Sequence, residues 1–182
     1  MEDKALVAKI LAGDRNAFSI LIERYHRLVA HMVARLVDDD RDREEVAQDI
    51  FVKVYEKIGD FNFESKLSTW IGVIAYRQAV NALKKSKRNR EDQDLDHINW
   101  NTGFEDLAFE NDDYARFINT WIQRLPISYR TVLTLYHLDG MSYQEIVEIM
   151  DMPEGTVKNY LFRARRKLRE LLETHMAQEV VL

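Results

Sequence analysis

The chain has 182 residues, 46% of them hydrophobic and 31% charged, with a net charge of −5 and no cysteine. That excludes disulfides and thiolate metal sites, points to a reducing compartment, and leaves length for one domain or two small ones. Six glycines and two prolines are sparse punctuation, and strand-like alternation is absent, so the pattern predicts an all-α fold.

The N-terminal stretch MEDKALVAKILAGDRN is charged from its second residue and lacks the apolar centre of a signal peptide. No run approaches the roughly 20 apolar residues that span a bilayer, so the expected location is the cytoplasm, without membrane insertion. Asp14 is placed to cap a helix over residues 15–37, whose apolar stripe runs from Phe18 through Leu21, Ile22, Tyr25 and Leu28 to Leu36. An acidic turn, Asp38–Asp40, opens a second helix running to about Ile58. Val46, Ile50, Val54 and Ile58 repeat by four on it, and Gly59 suits its C-terminal cap. Residues 60–67 read as an irregular loop, and Ser68 as the cap of a third helix with a basic tail.

Residues 91–111 form an acidic linker between two small helical domains, 1–90 and 112–182; a short docked helix is expected near 104–109. In the second domain a helix over 112–124 breaks at Leu125-Pro126, with Pro126 at the first position of the next helix. That helix stops at Asp139-Gly140. Ser142 and Glu145 then make a capping box, with Met141 and Ile146 spaced as a hydrophobic staple. After Pro153 the last helix turns Val157, Leu161, Ala164, Leu168 and Leu171 inward. Two short helices on a tight turn, the second basic, form a helix-turn-helix over 142–166.

The charge is strongly segregated. Lys66 to Arg90 holds seven basic and no acidic residues, Glu91 to Asp113 nine acidic and no basic, and Lys158 to Arg169 six basic and no acidic. Fields in physiological salt decay over about 8 Å, so these blocks decide binding and the net charge does not. On the last helix Lys158, Asn159, Phe162, Arg163 and Arg166 share the outer face. They supply long donors for base edges and an apolar group for a thymine methyl. Arg165, Arg166, Lys167 and Arg169 suit phosphates. In the first domain Phe61, Asn62, Phe63, Ser65, Lys66, Trp70, Tyr76, Arg77 and Asn81 interleave aromatic rings with cations and amides. That mixture suits unstacked bases, where each stack contributes about 1–3 kcal/mol; the alternative is that Trp70 and Phe61 are core residues closing a small bundle. Asp38 to Asp49 holds seven acidic residues, and Glu45, Gln48, Asp49, Val52 and Glu56 form an acidic face. Composition alone leaves open whether that face is merely solvated or docks a basic protein.

Three strings, DREEVAQDIFVKVYEKIGDF (42–61), SKLSTWIGVIAYRQAVNALKK (65–85) and LPISYRTVLTLYHLDGMSYQEIVEIMDMPEGTVKNYLFRARRKLRE (125–170), resemble in this order the extracytoplasmic-function (ECF, group IV) sigma factors of bacterial RNA polymerase. The resemblance implies a sigma region 2 that melts the −10 element and a region 4 that reads the −35 element. It implies that Glu45, Gln48, Asp49, Phe51, Val52 and Glu56 dock on the β′ coiled coil of core polymerase. It also implies contact with the β flap, promoter DNA as ligand, an anti-sigma factor as partner, and no catalytic residues, metal or cofactor. Asn62, the pair Tyr76-Arg77, and Asp151 at a frequent glycine position depart from the commoner family pattern. A LuxR-type regulator dimerising on palindromic sites is the alternative, since residues 125–169 resemble its output domain too; it leaves the block at 61–90 unexplained. An enzyme is the weakest reading: His26 and His31, five apart, do not share a helix face.

Overall fold

The computed structural model describes residues 2–37, 39–91 and 113–179, and among these every regular element is helical. The chain divides into two compact units, parting between residues 104 and 105. The linker and its expected short helix lie outside the described residues.

The first unit includes the helix α1 (Asp3–Leu11), which carries no strong sequence signal. Leu6, Val7 and Ile10 are its buried stripe, and Arg24 pins its start by donating to Asp3 at 2.9 Å. α2 (Arg15–Leu36) begins as expected: the Asp14 carboxylate accepts from the backbone N–H of Asn16 at 2.9 Å and of Ala17 at 3.2 Å. Such a cap contributes about 1 kcal/mol. α2 packs against α1, against α3 (Asp40–Lys57) and against α4 (Leu67–Glu91). Leu21, Leu36, Ile50, Leu67 and Ile71 are 0–1% exposed, and burying each contributes roughly 1.5–3 kcal/mol relative to exposure.

Two boundaries differ from the sequence expectation. Gly59 is not a left-handed cap; the chain tightens into a single 3₁₀ turn, Ile58–Asp60, closed by the Phe61 N–H on the Ile58 carbonyl at 3.3 Å. Buried Ile58 and Phe61 anchor both ends of that turn and keep the backbone winding. α4 starts at Leu67 rather than after Ser68, with the Lys66 carbonyl accepting from Trp70 N–H at 3.0 Å. Burial of Leu67 draws the first turn inward, so Ser68 lies inside the helix and caps nothing.

The second unit contains α5 (Asp113–Gln123), α6 (Ile127–His137), α7 (Tyr143–Met150) and α8 (Glu154–Glu179). Pro126 sits one position earlier than expected: its ψ of 143° is extended, making it the N-cap, and its carbonyl accepts from Tyr129 and Arg130. Gly140, at φ +65°, turns the chain after α6. The capping box is formed, with Ser142 Oγ accepting from Glu145 N–H at 3.3 Å and Glu145 accepting from Ser142 N–H at 2.8 Å. Met141 and Ile146 are both buried behind it. Val157, Leu161 and Ala164 seat α8 on α6 and α7.

Asp151, the residue standing at the frequent glycine position, ends α7 in the left-handed region at φ 52°, ψ 52°. A side chain there is strained, less for aspartate than for most residues, and glycine removes the strain. Asp151→Gly is therefore expected to stabilise the second unit by about 0.5–1 kcal/mol, and Asp151→Val to destabilise it by about 1–2 kcal/mol. Urea unfolding of the full chain checks both; a loss of stability with glycine contradicts the left-handed turn.

Candidate nucleic-acid interfaces

α8 presents Lys158, Asn159, Phe162, Arg163 and Arg166 to solvent together, as their spacing requires. Phe162 is 64% exposed, so it stands among the donors and does not pack on the preceding helix. Lys158 pairs with Glu154 at 2.5 Å and Arg166 with Glu170 at 3.4 Å. The Glu154 carboxylate, by hydrogen bond and charge, raises Lys158 further above its usual value. Arg163 has no ion pair among the described residues. Of the row's three cations Lys158, Arg163 and Arg166, it alone needs no described partner displaced before it reaches a base.

In the first unit the loop at 61–66 separates its aromatics. Phe61 is 6% exposed, with its ring 4.6 Å from that of Phe63 and 5.4 Å from that of Trp70. It is the floor of the cluster, and its burial corrects the expectation that it offers a face to a base. Phe63 is 41% exposed and held at φ +62°, an uncommon conformation for a bulky residue, which turns its ring outward. Lys4 from α1 lies 5.8 Å above that ring, a neighbour no local pattern announced. Asn62 Oδ1 accepts from Glu64 N–H at 3.3 Å and shapes the turn. Asn62, Lys66, Arg77 and Asn81 are exposed, while Ser65, Trp70 and Tyr76 are half-buried.

On α3, Glu45, Gln48, Asp49, Val52 and Glu56 are exposed on one face. Phe51 is 7% exposed and points into the core, as its position between buried Ile50 and Val54 dictates; it is corrected from docking residue to core residue. Tyr55, absent from the sequence reading, joins the face at 52% exposure beside Val52 at 57%. Tyr55 also stands edge-on to Phe18 at 4.9 Å, and Glu56 pairs with Lys53 at 2.8 Å. Glu45 and Asp49 also line a groove of about 490 Å³ whose other wall includes Gln78, Asn81 and Lys85 of α4.

Residues 21–89 match the family "Sigma-70 region 2" and residues 118–168 the family "Sigma-70, region 4". The chain is 35% identical to the "ECF RNA polymerase sigma-E factor" of Haemophilus influenzae, covering 97% of this chain and 98% of that one. The chain belongs to the ECF sigma factors of RNA polymerase. It is also 32% identical to the "RNA polymerase sigma-H factor" of Pseudomonas aeruginosa, over 94% of each chain. The Escherichia coli K12 sigma-E factor is 34% identical over 92% of this chain and 93% of that one.

Among solved structures, CnrH in complex with the cytosolic domain of CnrY shares the fold at a TM-score of 0.68 and 22% identity, covering 94% of this chain and 97% of that one. The sigma factor RpoE of Bartonella quintana, in complex with the anti-sigma factor NepR, does so at 0.71 and 20%, covering 86% and 96%. As a sigma factor the chain directs promoter-specific initiation by RNA polymerase. These matches do not favour the LuxR-type alternative. No helix among the described residues is long and apolar enough to cross a membrane.

Proposed function

We propose that the ECF sigma factor divides promoter recognition between its units along the faces described. α8 enters the major groove of the −35 element, with Lys158, Asn159, Phe162 and Arg163 at base edges and Arg166 on the flank. Asn62, Phe63, Ser65, Lys66, Trp70, Arg77 and Asn81 engage the opened −10 strand, with Phe61 bracing them from below. The α3 face, from Glu45 to Glu56 and now including Tyr55, docks on the β′ coiled coil of core polymerase, and region 4 meets the β flap. The domain boundaries fall at 1–90 and 112–182, with 91–111 as linker. The chain supplies no catalytic group, since the polymerase performs nucleotidyl transfer, and it works in the cytoplasm. Two proteins of this fold were solved with the partners CnrY and NepR, which supports an anti-sigma factor for this chain as well.

The observation that carries the reading is the solvent-facing row on α8 behind a formed capping box. Arg163→Ala is expected to cost about 1–3 kcal/mol at the −35 element and to relax the preference at one base pair. Arg169→Ala should weaken binding evenly across sequences, as loss of a phosphate contact does. Holoenzyme binding to promoters with each −35 base changed in turn reads both effects. Equal, sequence-blind losses from the two variants contradict this orientation of α8.

A further inference from the structure

Beyond the outer face of α8, its flank carries an arrangement that the base-reading residues do not use. Arg165 reaches the last residue of α6, where its Nε and Nη2 stand 3.1 and 3.0 Å from Nε2 of His137. A guanidinium carries donors only, so Nε2 must be offering its lone pair. The imidazole is therefore neutral in this arrangement, with its proton on Nδ1. Tyr136 lies under the guanidinium, 5.4 Å from ring centroid to Cζ, and stacks on Tyr143 of α7 at 5.2 Å. Lys158, two turns before Arg165 on α8, lies 5.4 Å over Tyr143. Arg165, His137 and Lys158 are all exposed.

The groups around the imidazole act in one direction. Burial, and then the Arg165 charge, hold His137 below the usual imidazole value. On its own helix the ring faces Tyr136, in edge contact at 5.0 Å. From α7 comes Tyr143, and from α8 the cations Arg165 and, further along, Lys158. Of the acidic groups, Glu154 on α8 is paired with Lys158, and half-buried Asp139 follows His137 by two residues.

We propose that His137 and Arg165 form a phosphate-binding pair beside the recognition helix, and that seating a backbone phosphate of the −35 DNA there places a proton on His137. The inference rests on the reading of α8 as the −35 reader. A phosphate takes the planar fork of Arg165 in two parallel hydrogen bonds, which withdraws the donors from Nε2. The vacated nitrogen then lies beside an anion, where the charged imidazolium is favoured and donates in its turn. Up to one proton is taken from solution per DNA bound, forming an N–H bond at Nε2, and no other covalent bond changes. The sign follows by linkage: binding strengthens as pH falls through the DNA-bound value of His137, and levels off below its depressed free value. The gain cannot exceed tenfold per pH unit, the limit for one proton.

The test uses holoenzyme reconstituted from the full chain and core polymerase, on promoters with and without a −35 element. His137→Gln is the probe, because its amide oxygen accepts from Arg165 but takes no proton. Between about pH 8 and pH 6, −35-dependent binding by wild type is expected to gain roughly threefold to tenfold over His137→Gln, the span of a half to one proton-linked decade. In NMR of the full chain, the His137 ring resonance, assigned by its loss in His137→Gln, should titrate at higher pH once −35 duplex is added. Parallel pH profiles for the two proteins, or an unmoved His137 titration, overturn the pair while leaving the −35 reading intact. Absence of any −35 dependence in wild type, at both pH values, overturns the reading itself and the pair with it.

Discussion

Val52→Lys should weaken association with core polymerase by about 2–4 kcal/mol, the range of an interface hot spot, or roughly 30-fold to 1,000-fold. Val52 is more than half exposed beside Tyr55, in a ring of Glu45, Gln48, Asp49 and Glu56. Carboxylates around an apolar centre match a basic partner whose own apolar residue fills that centre. Lysine there removes the anchor and adds repulsion toward the partner's cations. The side chain is 57% exposed and outside the buried core, so the urea midpoint of the free chain should change little. Affinity for core polymerase, measured by fluorescence anisotropy, reads the effect. Unchanged affinity would mean that the acidic face is only solvated.

Phe61→Ala and Phe63→Ala should separate folding from promoter opening. Truncating a buried aromatic costs about 3–5 kcal/mol, and Phe61 is 6% exposed between Phe63 and Trp70. Phe61→Ala is therefore expected to lower the stability of the first unit by that amount. Phe63→Ala removes an exposed ring and spares the core; it should instead cost about 1–3 kcal/mol in opening the −10 element, the contribution of one stacked base. Urea unfolding reports the first effect and permanganate reactivity of −10 thymines the second. A destabilising Phe63→Ala beside a silent Phe61→Ala would reverse the assigned roles of floor and face.

The elements legible in the sequence were those whose signal is local. Asp14, Ser142 with Glu145, and the inward series from Val157 to Ala164 each act within one or two helical turns, and each is formed as read. The boundaries at Gly59 and Ser68 misled because burial of Ile58, Phe61 and Leu67 outweighs a favourable cap residue. α1 has only a weak local signal, since Leu6, Val7 and Ile10 make a short stripe among charged residues and no side chain caps its start. Phe51 and Phe61 carried a family likeness but no local sign of orientation: a buried aromatic beside an exposed charge has the same composition as an exposed one. Contacts between distant segments were invisible for a simpler reason. Nothing in a one-dimensional pattern pairs Lys4 with Phe63, or His137 with Arg165 twenty-eight positions later.

These assignments converge on one division of labour. On the proposed reading, the α8 row anchors the protein on duplex DNA, the loop at 61–66 with α4 holds the opened strand, and the α3 face brings the polymerase that uses it. Transcription from a promoter library by purified core polymerase, with and without this chain, measures that combination directly. The account predicts transcripts that appear only with the chain, start a fixed distance downstream of a shared pair of −35 and −10 sequences, and disappear with Val52→Lys. Transcription no different from core polymerase alone, across the whole library, would contradict it.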